Sequence, residues 1–210
     1  MKKLLVVFFA SILALSFASC GGSSNSTNND GSASGAESAL ADDTGGGAAA
    51  AYFNMFKSGN YHLKAKMKGD GIETTMESYY KDGMVSMRMA MAGNSSRMIF
   101  RDNQMYMIDD GSKTYMVMPT AEKPSNEAVK TDGMTRTGSG TAEFDGRNLP
   151  YEEYSSEEGG KVQFFLDGKK LAGIRNIINE EGKIDVIISE LDQNVPADAF
   201  DVPSGYKKAN

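Results

Sequence analysis

Residues 61–91 read YHLKAKMKGDGIETTMESYYKDGMVSMRMAM, and this stretch decides the fold. Apolar and polar residues alternate along it, which is the two-residue period of a β-strand with one buried face. The pairs Asp70-Gly71 and Asp82-Gly83 interrupt the alternation, and Asp-Gly is a preferred sequence for two-residue hairpin turns. The stretch therefore predicts three antiparallel strands joined by two hairpins.

The two turns also predict which residues pair across the strands. They place Lys64 opposite Glu77 on one face and Ala65 opposite Met76 on the other. Arg88 then lies beside Glu77, so we expect these charges to form a structural cross-strand ladder. The same register predicts further pairs: Gly69 with Ile72, Lys68 with Glu73, Met67 with Thr74, Tyr61 with Tyr80, Lys81 with Met84, Ser78 with Met87, Met76 with Met89, and Thr74 with Met91.

Three more turn sequences, at residues 93–94, 102–103 and 110–111, extend the pattern into a six-stranded meander over residues 61–118. In each hairpin the methionines fall on the same face. We call this set the methionine face: Met67, Met76, Met87, Met89, Met91, Met98, Phe100, Met105, Met107, Met116 and Met118.

A sheet face built from methionine has three interpretations. Strand cores normally use stiff branched and aromatic residues, whereas the flexible thioether of methionine adapts to ligands of different shapes. We therefore expect the methionine face to bind an apolar ligand such as a lipid or acyl chain. Alternatively, the face is a filled core beneath a helix, in a structural or interaction protein. The third alternative is Cu(I) binding by the Met-x-Met pairs, because soft thioethers select that ion; our prediction names no metal and no cofactor.

The start of the chain has the features of a bacterial lipoprotein signal. Lys2 and Lys3 precede an apolar run over residues 4–15, and small residues lead to Cys20, the one cysteine of the sequence. The apolar run is too short to span a bilayer as a helix. We expect removal of residues 1–19 and attachment of a diacylglycerol to Cys20, although Phe17 stands where such signals usually have leucine. The alternative is an ordinary signal peptide that leaves Cys20 as a free thiol.

Residues 20–47 are rich in glycine, serine and asparagine and predict a flexible tether. A coil of this length has a mean end-to-end distance of about 30 Å. The predicted domain organisation is thus a signal (1–19), a lipid-anchored tether (20–47) and a folded domain (48–210). We expect an exported protein anchored to the cell envelope, in the outer membrane if the organism has one and otherwise on the outer face of the cell membrane.

The remaining segments of the domain predict helices and more hairpins. Residues 48–57 are rich in helix formers, and a short inserted helix is expected near residues 126–131. Candidate strands cover residues 141–144, 151–155, 161–166, 171–179 and 183–191. Conventional core residues are available on these strands: Phe164, Ile174, Ile177, Val186 and Ile188.

Composition and motifs exclude several classes of function. Loss of Lys2 and Lys3 with the signal would change the formal charge from −6 to −8, and no basic stripe is present to bind nucleic acid. The single histidine, His62, lies opposite Tyr79 on the charged face, where we expect it to be solvated. No Gly-x-Ser-x-Gly motif occurs, and Asp109-Asp110 beside a glycine is typical of a turn. We therefore predict a non-enzyme whose partners are the membrane and an apolar small molecule; no protein partner is identified.

The layout and the C-terminal segment, VPADAFDVPSGY at residues 195–206, resemble the LolA/LolB-like lipoprotein carrier superfamily. The resemblance implies a mainly β fold, with one antiparallel sheet of about ten or eleven strands curled into an incomplete barrel. It also implies a concave side, covered by the N-terminal and inserted helices, that holds lipid or acyl chains. The methionine face would be that side. No carrier-specific functional residue matches, LolA carriers are not tethered, and the chain lacks tryptophan, so a lipoprotein cargo is not implied.

Overall fold

The structure is a computed structural model that describes residues 47–69, 71–91, 94–120, 129–155, 160–177 and 182–209. All of them belong to one of the two units into which the chain divides, residues 42–210. The expected signal, Cys20 and the expected tether up to residue 46 lie outside the described residues. Within these ranges, no helix has both the length and the apolar character needed to cross a bilayer.

In the described part of the chain, twelve strands form a single sheet and one helix lies against it. The elements are α1 (Ala50–Ser58), β1 (Tyr61–Gly69), β2 (Ile72–Lys81), β3 (Met84–Met91), β4 (Asn94–Arg101), β5 (Gln104–Asp109), β6 (Thr114–Pro119), β7 (Thr135–Phe144), β8 (Arg147–Ser155), β9 (Lys161–Asp167), β10 (Lys170–Ile177), β11 (Lys183–Asp192) and β12 (Lys207–Lys208).

The strand order is β12-β6-β5-β4-β3-β2-β1-β11-β10-β9-β8-β7. Two antiparallel meanders, β1–β6 and β7–β11, are joined where β1 pairs with β11. The sheet does not close into a barrel, because β12 and β7 lie at its opposite ends. The mainly β fold with an open, half-barrel type of sheet is confirmed.

The predicted pairing of the first three strands is confirmed. Lys64 pairs with Glu77 and Ala65 with Met76, and Glu77 pairs in turn with Arg88. Asp82 and Gly83 both have positive φ, as a type I′ turn requires. A sequence with strict alternation and Asp-Gly turns therefore specifies its own register.

Several boundaries differ from the predictions. The sheet also contains the two-residue strand β12, which pairs in parallel with β6. Strands β7 and β8 begin at Thr135 and Arg147, earlier than expected, because the polar, glycine-containing start of β7 shows no alternation. The helix α1 begins at Ala50 and ends at Ser58. Most of the expected inserted helix lies outside the described residues, and residues 129–131 are not helical.

The main core forms where α1 packs on the side of the sheet that carries the methionine face. Phe56 and Tyr61 are fully buried, with ring centroids 5.5 Å apart. Phe53 contacts Tyr154 and Phe164, at centroid distances of 4.9 and 5.1 Å. The helix thus bridges the two meanders. Of the expected core residues, Phe164 and Ile174 are buried, Val186 and Ile188 pack at the edge of this core, and Ile177 is only half-buried.

Two polar anchors hold α1 in place. The carboxylate of Glu152 accepts hydrogen bonds from the backbone N–H groups of Ala48 and Ala49, at 2.8 and 3.2 Å. The hydroxyl of Tyr52 donates to the Lys169 carbonyl (2.7 Å) and accepts from the Leu171 N–H (2.9 Å). In both anchors the partner of α1 lies in the β7–β11 meander, so the two anchors fix the position of α1 across the sheet.

The reverse face of the sheet has apolar clusters of its own. Ile99 and Ile108 are buried beneath Ala199 and Phe200 of the C-terminal segment 195–206. At the other end of the sheet, Phe144 stacks on Phe165 at 4.3 Å. The charged ladder therefore covers the reverse of β1 and β2, whereas much of the reverse of β4–β6 is apolar.

Candidate functional site: the methionine face

The sheet brings all eleven predicted residues of the methionine face to one side. Because directly opposite residues share a face, the pairing can be followed from strand to strand. One cross-strand row contains Met87, Met98, Met107 and Met116, and the next contains Phe100, Met105 and Met118. Met76 pairs with Met89, and Met67 and Met91 lie on the same side at other positions of their strands.

The main core divides this face into a covered half and an open half. The covered half packs against the main core and comprises Met67, Met76, Met87, Met89 and Phe100. The open half comprises Met91, Met98, Met105, Met107, Met116 and Met118, which belong to none of the core clusters formed by the described residues. Among the described residues, the packing that the filled-core interpretation predicts is thus present in the covered half.

The open half carries unusual exposed apolar surface. Met107, Met116 and Met91 are 38%, 45% and 50% exposed. Ile72, at 45%, is the other large apolar side chain exposed among the described residues, and its register places it on the same side. Scattered apolar residues at a surface are normal, but Met107 and Met116 pair directly across β5 and β6, and adjacent exposed apolar side chains of this kind are typical of interaction sites.

The reverse face contains a cavity with a volume of about 190 Å³. Its lining is mainly polar: Glu77, Tyr79, Ser86, Arg88, Arg97, Pro196, Asp198 and Ala199. Ligand pockets are typically about 300 to 1,000 Å³. The cavity is smaller, and it is separated from the methionine face by the sheet itself.

The charged ladder on this reverse face has the predicted register but different contacts. The ammonium of Lys64 lies 3.3 Å from Glu190, and the guanidinium of Arg88 lies 3.6 Å from Asp110. Glu77 instead accepts a hydrogen bond from the Tyr79 hydroxyl at 3.1 Å. Lys64 and Arg88 do not bind Glu77 as expected, because Glu190 of β11 and Asp110 after β5 lie closer to them.

The prediction that His62 is solvated is wrong. Its side chain is almost wholly buried and stacks on Tyr79, with ring centroids 4.6 Å apart. Nε2 lies 3.4 Å from Glu77 and Nδ1 lies 3.6 Å from Asp192. Burial and the charge of Glu77 raise the pKa of Tyr79. Pairing with β11, which local pattern does not reveal, encloses the histidine.

Arg97 links the reverse face to the C-terminal segment. Its guanidinium donates to the carbonyl oxygens of Ala199 and Asp201, at 2.9 and 3.4 Å. Burial, followed by the charge of Arg88 on the neighbouring strand, lowers the pKa of Arg97. Tyr206 adds a further link by donating to Asp110 at 2.9 Å. These groups hold the segment against the sheet, so their charges have a structural explanation.

Comparisons with known proteins concern the fold. No family model matches the sequence, and no curated protein matches it. An uncharacterized conserved protein from Thermus thermophilus is similar in structure (TM-score 0.47, 8% identity, 77% of this chain and 98% of that chain). MucB in complex with MucA(peri) is also similar (0.42, 12%, 75% and 60%). So is the LolA superfamily protein NE2245 from Nitrosomonas europaea (0.30, 6%, 67% and 88%).

Proposed function

We propose that this protein is an exported, non-enzymatic lipoprotein that binds an apolar ligand, a lipid or acyl chain, on the open half of the methionine face. A lipid on Cys20 would anchor it to the envelope membrane. The observation that carries the proposal is the exposure of the directly paired Met107 and Met116 on a sheet face whose other half belongs to the main core. Membership in the LolA/LolB-like superfamily stays a prediction.

The dimensions of the open half suit an acyl chain. Neighbouring strands lie about 4.8 Å apart, so the row from Met98 to Met116 spans about 10 Å across β4–β6. An extended stretch of roughly eight methylene groups has this length. The exposed area of Met107 and Met116 would be removed from water by such a ligand, which favours binding by about 1 kcal/mol for each side chain.

Methionine also suits this task better than leucine or isoleucine. Its side chain is unbranched and polarizable, so it can repack around chains of different length and saturation. The main core uses the buried residues Leu63, Phe164 and Ile174. Every large apolar side chain of the open half is a methionine, which favours a surface that can repack around a ligand.

Binding is tested with the full chain, purified from its own membrane and stripped of lipid. A fluorescent fatty acid is titrated against wild type and against a Met107→Gln, Met116→Gln double variant. We expect the variant to bind about 30-fold more weakly, from about 2 kcal/mol of lost apolar burial. The matched control is Met84→Gln, because Met84 is a half-buried methionine that packs on the reverse face. Circular dichroism checks that each variant is folded.

Equal affinity in all three proteins would overturn the assignment of the binding face. Native mass spectrometry of protein that has not been stripped adds a second test. A co-purified lipid mass supports the proposal, whereas a ligand-free species that also fails to bind the fatty acid favours the structural or interaction lipoprotein with a filled core.

The anchor is tested separately. Cells that express the chain are labelled with radioactive palmitate, and the label should be lost in a Cys20→Ala variant. Labelled wild-type protein should fractionate with membranes. Absence of the label from wild type would overturn the anchor while leaving the binding result unaffected, so the two parts of the proposal can fail independently.

A further inference from the structure

Two Met-x-Met sequences lie side by side in the open half of the methionine face. Strand β5 contains Met105 and Met107, and β6 contains Met116 and Met118. Met105 pairs with Met118, and Met107 pairs with Met116. From this register we infer that the four thioethers form a binding site for a soft monovalent metal ion, Cu(I) or Ag(I).

The pairing places the four Cβ atoms at the corners of a rectangle. Directly opposite residues have Cβ atoms about 5 Å apart, and residues two apart on a strand are separated by about 6.8 Å. Each corner is therefore about 4.2 Å from the centre. A methionine sulfur is two bonds beyond its Cβ, and a metal–sulfur bond of about 2.3 Å covers the remaining distance. All four sulfurs can reach one ion held just above the sheet.

A single cross-strand row does not have this property. In the row Met98, Met107 and Met116, the outer residues are about 5 Å to either side of the central one. An ion shared by all three would have to lie almost in the plane of the Cβ atoms, where the central side chain already stands. The second Met-x-Met pair is thus what creates the site, and sequence inspection of single motifs does not reveal it.

The ligand type selects the ion. Thioethers are soft, neutral donors that bind Cu(I) and Ag(I) and bind hard or borderline divalent ions poorly. The described residues contain no group of three or more histidine, cysteine, aspartate or glutamate side chains placed to hold a metal, so this site depends on sulfur. Met107 and Met116 are 38% and 45% exposed, which leaves the site open to an incoming ion.

The side chains are also available to move onto an ion. None of the four belongs to a core cluster of the described residues, whereas Met76 and Met89 of the same face pack in the main core. The reverse side of the same strands is packed through Ile108 and Tyr115. The four thioethers can therefore reorient without disturbing the packing that holds β5 and β6.

The test uses Ag(I), which needs no reductant, and the full chain carrying Cys20→Ala so that no thiol competes. Calorimetric titration should give one bound ion per chain. A Met107→Leu, Met116→Leu variant keeps apolar volume but removes two ligands, and its affinity should fall at least about 100-fold. The control Met84→Leu changes a thioether on the reverse face and should leave Ag(I) binding unchanged.

A further measurement reports on the four thioethers directly. Carbon-13 spectra of labelled methionine methyl groups should shift for Met105, Met107, Met116 and Met118 on addition of Ag(I). Unchanged Ag(I) affinity in the variant, or shifts confined to other methionines, would overturn the inference whether or not a fatty acid binds.

Discussion

Replacing Glu152 with alanine should free the N-terminal end of α1 from the sheet. Glu152 is 4% exposed, and its carboxylate accepts from the Ala48 and Ala49 N–H groups and from the Tyr154 hydroxyl, at 2.8, 3.2 and 3.0 Å. The helix has no side-chain cap of its own. A residue of β8 thus supplies the acceptor for the two N–H groups that immediately precede the helix.

The expected cost follows from these three donors. Each buried donor that loses its acceptor costs about 1 to 3 kcal/mol, and the half-buried Ala48 N–H can recover part of this by binding water. The lost interaction of a negative charge with the N-terminus of a helix adds about 0.3 to 1 kcal/mol. We expect Glu152→Ala to lower the free energy of unfolding by about 3 to 5 kcal/mol. Glu152→Gln keeps one acceptor oxygen and should lose about 1 to 2 kcal/mol.

Urea unfolding of the full chain measures these changes, and amide hydrogen exchange across residues 50–58 shows whether the helix itself is released. The control is Glu143→Gln, which changes an exposed carboxylate of the same hairpin and should alter stability by less than about 0.5 kcal/mol. The anchoring role is refuted if the free energy of unfolding of Glu152→Ala lies within about 0.5 kcal/mol of the wild-type value and the α1 amides keep their protection.

Three shorter predictions concern the sheet and its core clusters. Burial raises the pKa of Tyr80 to about 12, so between pH 10 and 12 the folded state keeps the hydroxyl proton that the unfolded chain loses. The free energy of unfolding should therefore fall by about 2 to 3 kcal/mol as the pH rises from 10 to 12. Urea unfolding at pH 9 and 11.5 should show a smaller loss for Tyr80→Phe than for wild type. An equal alkaline loss in both proteins would contradict this. A Cβ added at Gly173 would collide with the Phe144 ring and a β11 carbonyl. Gly173→Ala should therefore lower the free energy of unfolding by at least about 2 kcal/mol, as measured by thermal unfolding. An unchanged Tm would show that the ring moves aside. Tyr52→Phe removes both hydrogen bonds to the β9–β10 turn and should cost about 1 to 2 kcal/mol, with faster exchange of the Leu171 amide; unchanged exchange would exclude this anchor.

The methionine face was predictable because its strands are neighbours in sequence. Alternation fixes which residues share a face, and the turn at Asp82-Gly83 fixes the register between β2 and β3. Each strand from β1 to β5 pairs with the next strand along the chain, so local pattern was sufficient. The pairing of β1 with β11 was not predictable in this way, since the two strands are separated by nearly the whole domain.

This long-range pair explains the error at His62. Its predicted neighbour Tyr79 is correct, and the histidine would be exposed if β1 were an edge strand. Strand β11 instead places Asp192 directly opposite His62 and removes the edge. A strand of alternating lysines, as in β1, looks like a solvated edge even when it lies at the centre of a sheet.

The role of Glu152 was missed for a different reason. It belongs to an acidic run that includes Glu153, and nothing local distinguishes the buried carboxylate from its neighbour. A signal was present at the other partner. The residues before Ala50 are glycines and alanines, which offer no side-chain acceptor, so the Ala48 and Ala49 N–H groups at this partly buried position require an acceptor from elsewhere in the fold.

The arrangement of β4–β6 separates stability from binding. On their reverse face, Ile99 and Ile108 are buried against Phe200 of the C-terminal segment. The guanidinium of Arg97 donates to two backbone carbonyl oxygens of that segment. These contacts hold β4–β6 from the side opposite the open half. The thioethers of the open half belong to no core cluster of the described residues, so the domain tolerates Met107 and its neighbours at the surface. A face that is free of a structural role can change its packing when a ligand arrives, and this is the property that both proposed sites require.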